Sequence, residues 1–296
     1  MSIFTVIPRF HSRVFNYFAL LLLLTGGTGG FRLLHHSSFV GRPPVNYTAA
    51  DGPGYSGRHA PKGSRHADEI RVVSYNIRYG EKIGEAVSAF ESIEWINEAD
   101  IILLQEMDEH GTAEIANRLG YNYAYYPASV AKDGDNFGNA ILAQWPIEDF
   151  RKLILPGLHP LSGQQRIATR ATVRIGTHDV LVYSTHIEVA TALPVMRAAQ
   201  IQAIINDIPA DAPWVIAGGD FNTVSDRGVQ GLKDQFEAVD MAHGTVDLGP
   251  TFTRWGRRVA ATDHIFSRGF DTSAAGVLPE VLASDHFPVW AQMTFR

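Results

Sequence analysis

Short apolar runs that end in polar side chains recur along the chain. Residues 70–77 and 101–104 are rich in Val, Ile and Leu, and each run predicts a buried strand. Between them, apolar residues recur every three positions over residues 87–96, which predicts a helix. This strand, helix, strand unit puts Asn76 and Glu106 at strand ends, where buried strands commonly present functional groups. Taken singly, Asn76 is better interpreted as a turn residue and Glu106 as a solvated carboxylate that begins a loop.

The β pattern continues toward the C-terminus. Residues 121–126 and 138–142 predict strands on either side of a polar loop at residues 132–136. A further β-prone run leads to His186, and Pro194 begins a predicted helix because proline is favoured in the first helical turn. Two polar side chains of that helix are expected to face solvent: Arg197 and Gln200.

A strand that ends in two polar side chains is predicted by VIAGGDFNT, residues 215–223. Val and Ile fit a buried strand, and the two glycines allow positive φ or the close approach of another group. Asp220 and Asn222 are two apart, so in extended geometry both point to one side while Phe221 points to the other. A carboxylate and an amide placed in this way can bind one water or phosphate oxygen. The alternative is an ordinary turn, in which Gly, Asp and Asn are the commonest residues.

Composition narrows the class of protein. The chain has 296 residues, 45% of them hydrophobic, so it can fill a large core without disulfides. It contains no cysteine, which excludes disulfides, thiol catalysis and thiolate metal sites. The formal charge of −6 disfavours duplex DNA as a partner, although a local patch can still bind phosphates.

The N-terminal segment predicts export. Arg9 and Arg13 precede an apolar stretch at residues 14–24, and small residues follow it, which is typical of a secretory signal peptide. The uncharged stretch continues to Phe31, so an uncleaved membrane anchor is the alternative. The protein is therefore expected to be periplasmic, secreted or membrane-anchored, with membrane contact through this segment.

These patterns divide the chain into three parts. Residues 1–31 are assigned to a signal peptide or membrane anchor. Residues 32–67, rich in Gly, Pro, Ser and His, are assigned to a linker or loosely ordered lead-in. Residues 68–296 are assigned to a single globular domain.

Seven short motifs follow one another in an order typical of one superfamily: SYN (74–76), LLQE (103–106), GNAIL (138–142), STH (184–186), GGDFNT (218–223), TDHIF (262–266) and SDH (284–286). They resemble the endonuclease/exonuclease/phosphatase superfamily, whose members include deoxyribonuclease I-like nucleases, exonuclease III-like repair enzymes, neutral sphingomyelinases and inositol polyphosphate 5-phosphatases. The resemblance covers the chain from residue 70 to the C-terminus. It implies an α/β four-layer sandwich, in which two packed mixed β-sheets are flanked by helices, and Mg²⁺-dependent hydrolysis of phosphoesters.

The resemblance also implies a divalent metal site. Glu106 matches the metal-binding glutamate, and Asn76 matches the asparagine that helps to position metal or phosphate. Asp285 resembles an aspartate near the metal. Arg166 resembles an arginine near the phosphate, with Arg170 as the alternative. Carboxylate, amide and water oxygens are the ligands that Mg²⁺ prefers, and Mn²⁺ can take its place.

The catalytic roles that the resemblance implies fall on five residues. Asp220 matches the carboxylate that orients or deprotonates the attacking water, with Asn222 beside it. His286 matches the histidine that contacts the scissile phosphate, and Asp263 matches the aspartate that orients this histidine. His186 resembles the histidine motif of the deoxyribonuclease I, sphingomyelinase and 5-phosphatase branches, where exonuclease III-like enzymes have a tyrosine motif.

The expected function is that of an exported Mg²⁺-dependent phosphodiesterase or phosphomonoesterase. A small or lipid-headgroup phosphoester is favoured as substrate by the net charge and by the lack of a Lys/Arg-rich run. The alternatives are a secreted non-specific nuclease and a non-catalytic binding module on the same fold. A monomer is expected, with specificity in loops such as residues 132–136 and 254–261. His264, where tyrosine is frequent in the family, is expected to alter the pocket rim.

Overall fold

The computed structural model describes residues 45–61, 68–131 and 134–296. The predicted leader (1–31), part of the lead-in (32–44 and 62–67) and the first residues of the polar loop (132–133) lie outside the described residues. Within the described ranges, no helix is long and apolar enough to cross a membrane.

The strands in chain order are β1 (Tyr55–Gly57), β2 (Glu69–Asn76), β3 (Ile101–Met107), β4 (Asn122–Val130), β5 (Asn136–Ala143), β6 (Ile147–Leu158), β7 (Gln165–Ile175), β8 (His178–His186), β9 (Val215–Asp220), β10 (Ala242–His243), β11 (Phe252–Arg254), β12 (Arg257–Ala260), β13 (Asp263–Arg268), β14 (Phe270–Val277) and β15 (Val289–Phe295). The helices are α1 (Ile83–Ser92), α2 (Glu94–Asn97), α3 (Glu109–Leu119), α4 (Pro194–Asp207) and α5 (Asp226–Glu237).

The strands form two sheets that pack face to face. The first has seven strands in the order β1-β4-β5-β3-β2-β15-β14, and the second has six in the order β10-β13-β9-β8-β7-β6. Both sheets are mixed, because β2 pairs with β3 and β8 with β9 in parallel while the other pairs are antiparallel. Leu103 and Ile216 belong to the core between the sheets. β11 and β12 form a separate hairpin.

Helices cover the outer faces of both sheets. Phe90 of α1 and Ile115 of α3 belong to the core on the first sheet. Ile204 of α4 and Phe236 of α5 belong to the core on the second. The order of layers is helix, sheet, sheet, helix, which confirms the predicted four-layer α/β sandwich.

The predicted strand, helix, strand unit is confirmed by the parallel pair β2 and β3. Its helix is interrupted, however, because Ile93 adopts extended geometry with φ −99° and ψ 111° between α1 and α2. Phe90 and Ile96 are buried on either side of this break. The buried apolar residues of α1 and α2 therefore keep the spacing of one continuous helix, although the helix is interrupted.

Residues 45–61, which fall in the predicted lead-in, pack against the folded domain. β1 pairs with β4, and Asn46 forms an isolated bridge to the same strand. The buried Lys152 donates hydrogen bonds to the carbonyl groups of Tyr47 at 2.8 Å and Gly52 at 3.0 Å. Burial lowers the pKa of Lys152 to about 8. Composition predicted little order here, but these hydrogen bonds fix the backbone.

Gly219 allows β8 and β9 to approach closely near the ends of both strands. Its φ is 148°, and a side chain there would overlap the carbonyl oxygen of Thr185. We expect Gly219→Ala to lower the free energy of unfolding by about 3 kcal/mol through backbone strain and overpacking. Denaturant unfolding followed by circular dichroism measures this change.

Gly231→Ala is the matched control, because Gly231 lies in α5 and an added methyl group meets nothing within 4 Å. This control is expected to raise stability by about 0.5–1 kcal/mol, since alanine is the better helix former. A Gly219→Ala variant as stable as the wild type would contradict the close approach of β8 and β9.

Candidate active site

The carboxyl ends of β2, β3, β8 and β9 meet the start of β13 at one edge of the sandwich, which we call the site end. The register of the second sheet pairs His186 with Asp220, and Asp220 with Asp263. The register of the first sheet pairs Asn76 with Gln105, the residue before Glu106. Residues that are distant in sequence therefore become neighbours, because parallel strands end at the same edge.

Buried hydrogen bonds join the two sheets beneath these residues. Gln105 Nε2 donates to Ser184 Oγ at 3.1 Å, and the Ser184 hydroxyl donates to the carbonyl group of Leu104 at 3.1 Å. Both polar side chains are fully buried. They fix β3 against β8, and the sequence signal for them is a polar residue within an otherwise apolar strand.

Glu106 departs from regular strand geometry at the end of β3. Its φ is 58°, and the register between β3 and β5 shifts between Leu104 and Met107. Such a bulge redirects a side chain, and the Glu106 side chain keeps 15% of its surface accessible. Burial nevertheless raises the pKa of Glu106, and a hydrogen bond from Asn76 partly opposes the rise.

Asn76 connects carboxylates of both sheets. Its Nδ2 donates to Glu106 Oε1 and to Asp220 Oδ2, each at 3.1 Å. Its Oδ1 accepts a hydrogen bond from the backbone N–H of Arg78 at 2.9 Å, which fixes the orientation of the amide. The Asn76 amide therefore orients Glu106 and Asp220, and its oxygen keeps a second lone pair.

Asp220 lies between two histidines. Its Oδ2 is 3.5 Å from His186 Nε2 and 3.8 Å from His286 Nε2. Burial raises the pKa of Asp220 to about 7, with His286 opposing the rise and Asp263 adding to it. A carboxyl group with a pKa near neutrality is suited to take up and release a proton.

His286 and Asp263 form a charged pair. His286 Nδ1 lies 2.9 Å from Asp263 Oδ2, which also accepts hydrogen bonds from the hydroxyl groups of Thr251 at 2.6 Å and Thr262 at 2.9 Å. Burial alone lowers the pKa of His286, but Asp263 and Asp220 outweigh it and raise the pKa to about 10. Burial raises the pKa of Asp263, but His286 and the hydroxyl groups bring it below its ordinary value. His286 is therefore an imidazolium at neutral pH.

His186 is neutral because it is buried and its neighbour Arg166 is a cation. Burial lowers the pKa of His186 well below its ordinary value, and Arg166 lowers it further. Arg166 Nη1 lies 3.2 Å from His186 Nδ1, and Arg166 Nη2 lies 3.5 Å from Glu188 Oε1. The neutral ring can exchange hydrogen bonds with Asp220 without adding charge.

Arg166, rather than Arg170, is the arginine of this site. Arg170 Nε lies 3.4 Å from Asp207 Oδ2, and the same carboxylate oxygen accepts a hydrogen bond from the Tyr183 hydroxyl at 2.9 Å. Arg170 is thus engaged with α4, whereas Arg166 contacts His186.

Glu188 is a functional candidate that was not recognised in the sequence. It is fully buried, and its Oε1 pairs with Arg166 and accepts the backbone N–H of Val189 at 3.0 Å. Gln200, expected to face solvent, is buried instead and accepts the backbone N–H of Glu188 at 2.8 Å. Glu188 therefore positions His186 through Arg166. The available signal was an acidic residue two positions after His186, which is indistinguishable from a solvated loop residue.

The segment after β9 is a turn that α4 supports. Asn222 has φ 48°, so the extended geometry expected there is wrong. The turn lets Asn222 Nδ2 donate to the carbonyl group of Ile187 at 3.1 Å and to Asp220 Oδ2 at 3.4 Å. Arg197, also expected to face solvent, donates to the carbonyl groups of Phe221 at 2.8 Å and Asn222 at 2.9 Å. The turn thus fixes Asn222 in a position from which its side chain donates a hydrogen bond to Asp220.

Glu106 and Asp285 are the candidate carboxylate ligands for a divalent cation. Asp285 lies on the loop before β15 with a third of its side chain accessible, and Arg78 Nε is 3.9 Å from its Oδ2. It is close enough to Glu106 to raise the pKa of that residue. Two partly accessible carboxylates that repel each other are oxygen donors of the kind that Mg²⁺ or Mn²⁺ prefers.

A second group has the spacing of metal ligands. Asp220, Asp263 and His286 offer atoms within 4.8 Å of one another. His286 Nδ1 bonds to Asp263, so Nε2 is the atom that would bind a metal, and the ring would first have to lose a proton. Without a metal, an imidazolium between two carboxylates is suited to proton transfer and charge stabilisation.

His264 lines a cavity together with Asp263 and Thr251, so it contributes to the pocket beside the site. It is almost fully buried, and its Nδ1 lies 3.1 Å from His243 Nε2. Burial lowers the pKa of His264 to about 4 and that of His243 to about 3. The ring also packs against Phe221 and Phe266. The imidazole that replaces the family's frequent tyrosine therefore takes part both in this cavity and in the packing beside Asp220.

Comparison with known proteins gives one family match. A model of the Endonuclease/Exonuclease/phosphatase family matches residues 73–286. No curated protein matches the chain significantly.

Solved structures with the same fold come from several organisms. An endonuclease/exonuclease/phosphatase from Beutenbergia cavernae has a TM-score of 0.63 and 18% identity, covering 77% of this chain and 72% of that one. A mannosyl-6-phosphatase of Bacteroides thetaiotaomicron has a TM-score of 0.59 and 19% identity, covering 76% and 100%. TDP2 of D. rerio, complexed with a single strand DNA product, has a TM-score of 0.57 and 15% identity, covering 76% and 99%. At these identities the likeness establishes the fold alone.

Removal of the Glu188 charge is expected to destabilise the protein. Glu188→Gln keeps the size of the side chain but leaves Arg166 buried without its counter-charge. The free energy of unfolding should fall by about 3 kcal/mol. Asp179→Asn is the control, because Asp179 pairs with Arg174 at the exposed surface and its loss should leave stability nearly unchanged. Equal losses of unfolding free energy for the two substitutions, measured by denaturant unfolding, would show that the buried Glu188 pair stabilises the protein no more than a surface pair does.

The His286 pair predicts a pH-dependent contribution to stability. A histidine with a raised folded-state pKa contributes stability that is complete below its unfolded pKa of about 6.5. This contribution is lost as pH rises through about 10. Asp263→Asn should therefore destabilise the protein most near pH 6, and its difference from the wild type should shrink toward pH 10. Urea unfolding of both proteins across this range measures the difference, and a constant difference would contradict a charged pair.

Proposed function

The chain belongs to the endonuclease/exonuclease/phosphatase family, and we propose that it is a Mg²⁺-dependent hydrolase of phosphoester bonds. The observation that carries the proposal is the convergence of Glu106, Asp220, His186 and the pair of Asp263 and His286 at the site end. Family members are generally phosphoester hydrolases, and this chain has each kind of group that the reaction needs.

Glu106 and Asp285 are the residues that would hold the metal ion. When bound, Mg²⁺, or Mn²⁺ in its place, would neutralise charge on the phosphate and lower the pKa of a water molecule. The Asn76 amide keeps Glu106 Oε1 in place by its 3.1 Å hydrogen bond. Glu106 can therefore bind a cation without reorganisation of the strand end.

Asp220 is the proposed general base. Its pKa of about 7 allows it to accept a proton from water near neutral pH. Hydrogen bonds from the Asn76 side chain and from the backbone N–H of Asn222 hold both carboxylate oxygens. The base is thus oriented toward one position, where the attacking water is expected.

His286 is proposed to contact the scissile phosphate. Its proton is held by Asp263, so it offers a fixed positive charge to the oxygens that become more negative in the transition state. His186 is neutral and can donate or accept a hydrogen bond beside it. Arg166 lies behind His186, so its expected contact with phosphate is replaced in our proposal by a role in positioning that ring.

The proposed substrate is a small or lipid-headgroup phosphoester, either a diester or a monoester. The net charge of −6 argues against long polyanions. The similar structures include both a mannosyl-6-phosphatase and a protein complexed with single strand DNA product, so nucleic acid remains the alternative to be tested. The sequence pattern of residues 1–31 supports export to the periplasm or the exterior, with or without a membrane anchor.

The proposed function predicts metal-dependent hydrolysis of bis-p-nitrophenyl phosphate or of its monoester analogue. EDTA should abolish the activity, and Mg²⁺ or Mn²⁺ should restore it. His286→Ala and Asp220→Asn should each lower kcat by at least about 100-fold, because each removes charge stabilisation or proton transfer. Glu106→Gln should raise the metal concentration needed for half-maximal activity. Release of p-nitrophenol measures all three variants.

His110→Ala is the control, because the His110 side chain is 92% accessible and lies outside the site. Parallel assays with phospholipids, sugar phosphates and plasmid DNA identify the substrate class. Activity that persists in EDTA, or in His286→Ala, would overturn the assignment of the site. A chain that hydrolyses none of these substrates and binds no Mg²⁺ would instead be a non-catalytic module.

A further inference from the structure

The loops at the site end expose large apolar side chains. Six loops or turns contribute the residues that we call the apolar rim: Tyr79, Leu161, Leu193, Val224, Trp255 and Leu282. At the opposite end of the described ranges, the exposed large apolar side chain is Trp95, where α2 leads into β3. Exposed apolar groups concentrated at one end of a domain indicate an interaction surface.

The hairpin of β11 and β12 adds positive charge to this surface. Trp255 is 89% exposed at its tip, and the guanidinium carbon of Arg254 lies 4.6 Å from the Trp255 ring centre. Arg257 and Arg258 follow directly and are exposed. No acidic residue occurs from residue 249 to residue 262, in a chain whose formal charge is −6. The hairpin is therefore a local cationic patch with an aromatic tip.

The hairpin is attached to the catalytic groups. The backbone N–H of Thr253 donates to the carbonyl group of Asp285 at 2.7 Å. The Phe252 ring lies 4.8 Å from the His286 ring. A surface that binds the hairpin therefore lies directly beside the proposed phosphate site.

We propose that the apolar rim and this hairpin dock the site end onto an anionic phospholipid bilayer, where the substrate is a headgroup phosphoester. The inference rests on the proposed function and specifies its substrate class. Tryptophan prefers the boundary between headgroups and acyl chains, and leucine and valine side chains insert below it. Arginines near an anionic leaflet add attraction that salt weakens.

A bilayer explains the rim better than single-stranded nucleic acid does. Nucleic acid binding of that kind uses aromatic side chains on which bases stack, along a cationic groove. Four of the six rim residues are aliphatic and offer no stacking surface: Leu161, Leu193, Val224 and Leu282. They suit a hydrocarbon boundary.

Quenching of tryptophan fluorescence by vesicles with brominated acyl chains tests the docking in the full chain. The other four tryptophans do not belong to the rim, and they are Trp95, Trp145, Trp214 and Trp290. Phosphatidylcholine vesicles that contain phosphatidylserine should quench the wild type, and Trp255→Phe should remove most of this quenching. Because the apolar stretch at residues 14–24 can bind lipid by itself, quenching of Trp255 is a better readout than sedimentation with vesicles.

The contribution of positive charge to docking is tested by substitution of Arg254, Arg257 and Arg258 together by Gln, which neutralises all three side chains. At about 1 kcal/mol for each arginine near an anionic surface, quenching should need about 100-fold more lipid. The control carries the same loss of charge away from the site end, with Arg118, Arg174 and Arg296 replaced by Gln, and should shift the lipid requirement by less than about 3-fold.

Hydrolysis of bis-p-nitrophenyl phosphate by the wild type, measured in parallel, separates the two proposals. Hydrolysis without Trp255 quenching by anionic vesicles overturns the docking and leaves the proposed function intact. Quenching without hydrolysis of any substrate supports the docking and counts against the proposed function. A Trp255 emission change with oligothymidylate but not with vesicles overturns the docking in favour of nucleic acid.

Discussion

The amide of Asn76 sets the distance between the two carboxylates on which the site depends. Glu106 belongs to the first sheet and Asp220 to the second, and both accept hydrogen bonds from the same Nδ2. Burial raises the pKa of each carboxyl group, so each is costly to ionise. An amide whose oxygen is fixed by the backbone N–H of Arg78 must point both of its N–H bonds at the carboxylates. One residue thus keeps the proposed metal ligand and the proposed base in a fixed relation.

This relation requires that the two sheets cannot slide past each other. The hydrogen bonds of Gln105 and Ser184 cross the interface directly beneath the site. Glu106 and Asn222 have positive φ, and a non-glycine residue keeps such geometry only when its surroundings leave no alternative. Those surroundings are a bulge in β3 at Glu106 and the Arg197 hydrogen bonds at Asn222. The strained residues of the site are therefore held by the strand register and by hydrogen bonds from α4.

The layers of the fold and the polar residues at the strand ends could be predicted from the sequence. The contacts that hold these residues in place could not. Buried parallel strands have continuous apolar runs, so β3 and β9 could be predicted from the sequence. The polar residue that follows each run then lies at the end of the strand. The interruption of the helix at Ile93 could not be predicted, because the apolar residues keep the spacing of a helix across it. Glu188 and Arg197 were missed because their importance comes from contacts with residues on other elements. The ordered part of the lead-in was missed because its order depends on Lys152, which is distant in sequence.

The two histidines around Asp220 differ in charge because their other neighbours differ. Arg166 beside His186 and Asp263 beside His286 push the pKa values of the two rings in opposite directions. Two imidazolium rings around one buried carboxylate would hold its pKa low, and it would then be a weak base. Two neutral rings would leave no fixed cation on this side of the phosphate. One ring of each kind lets Asp220 titrate near neutrality while His286 keeps its positive charge. The buried Glu188 balances the charge of Arg166. The difference in charge between His186 and His286 therefore depends on Glu188 as much as on the residues that face the substrate.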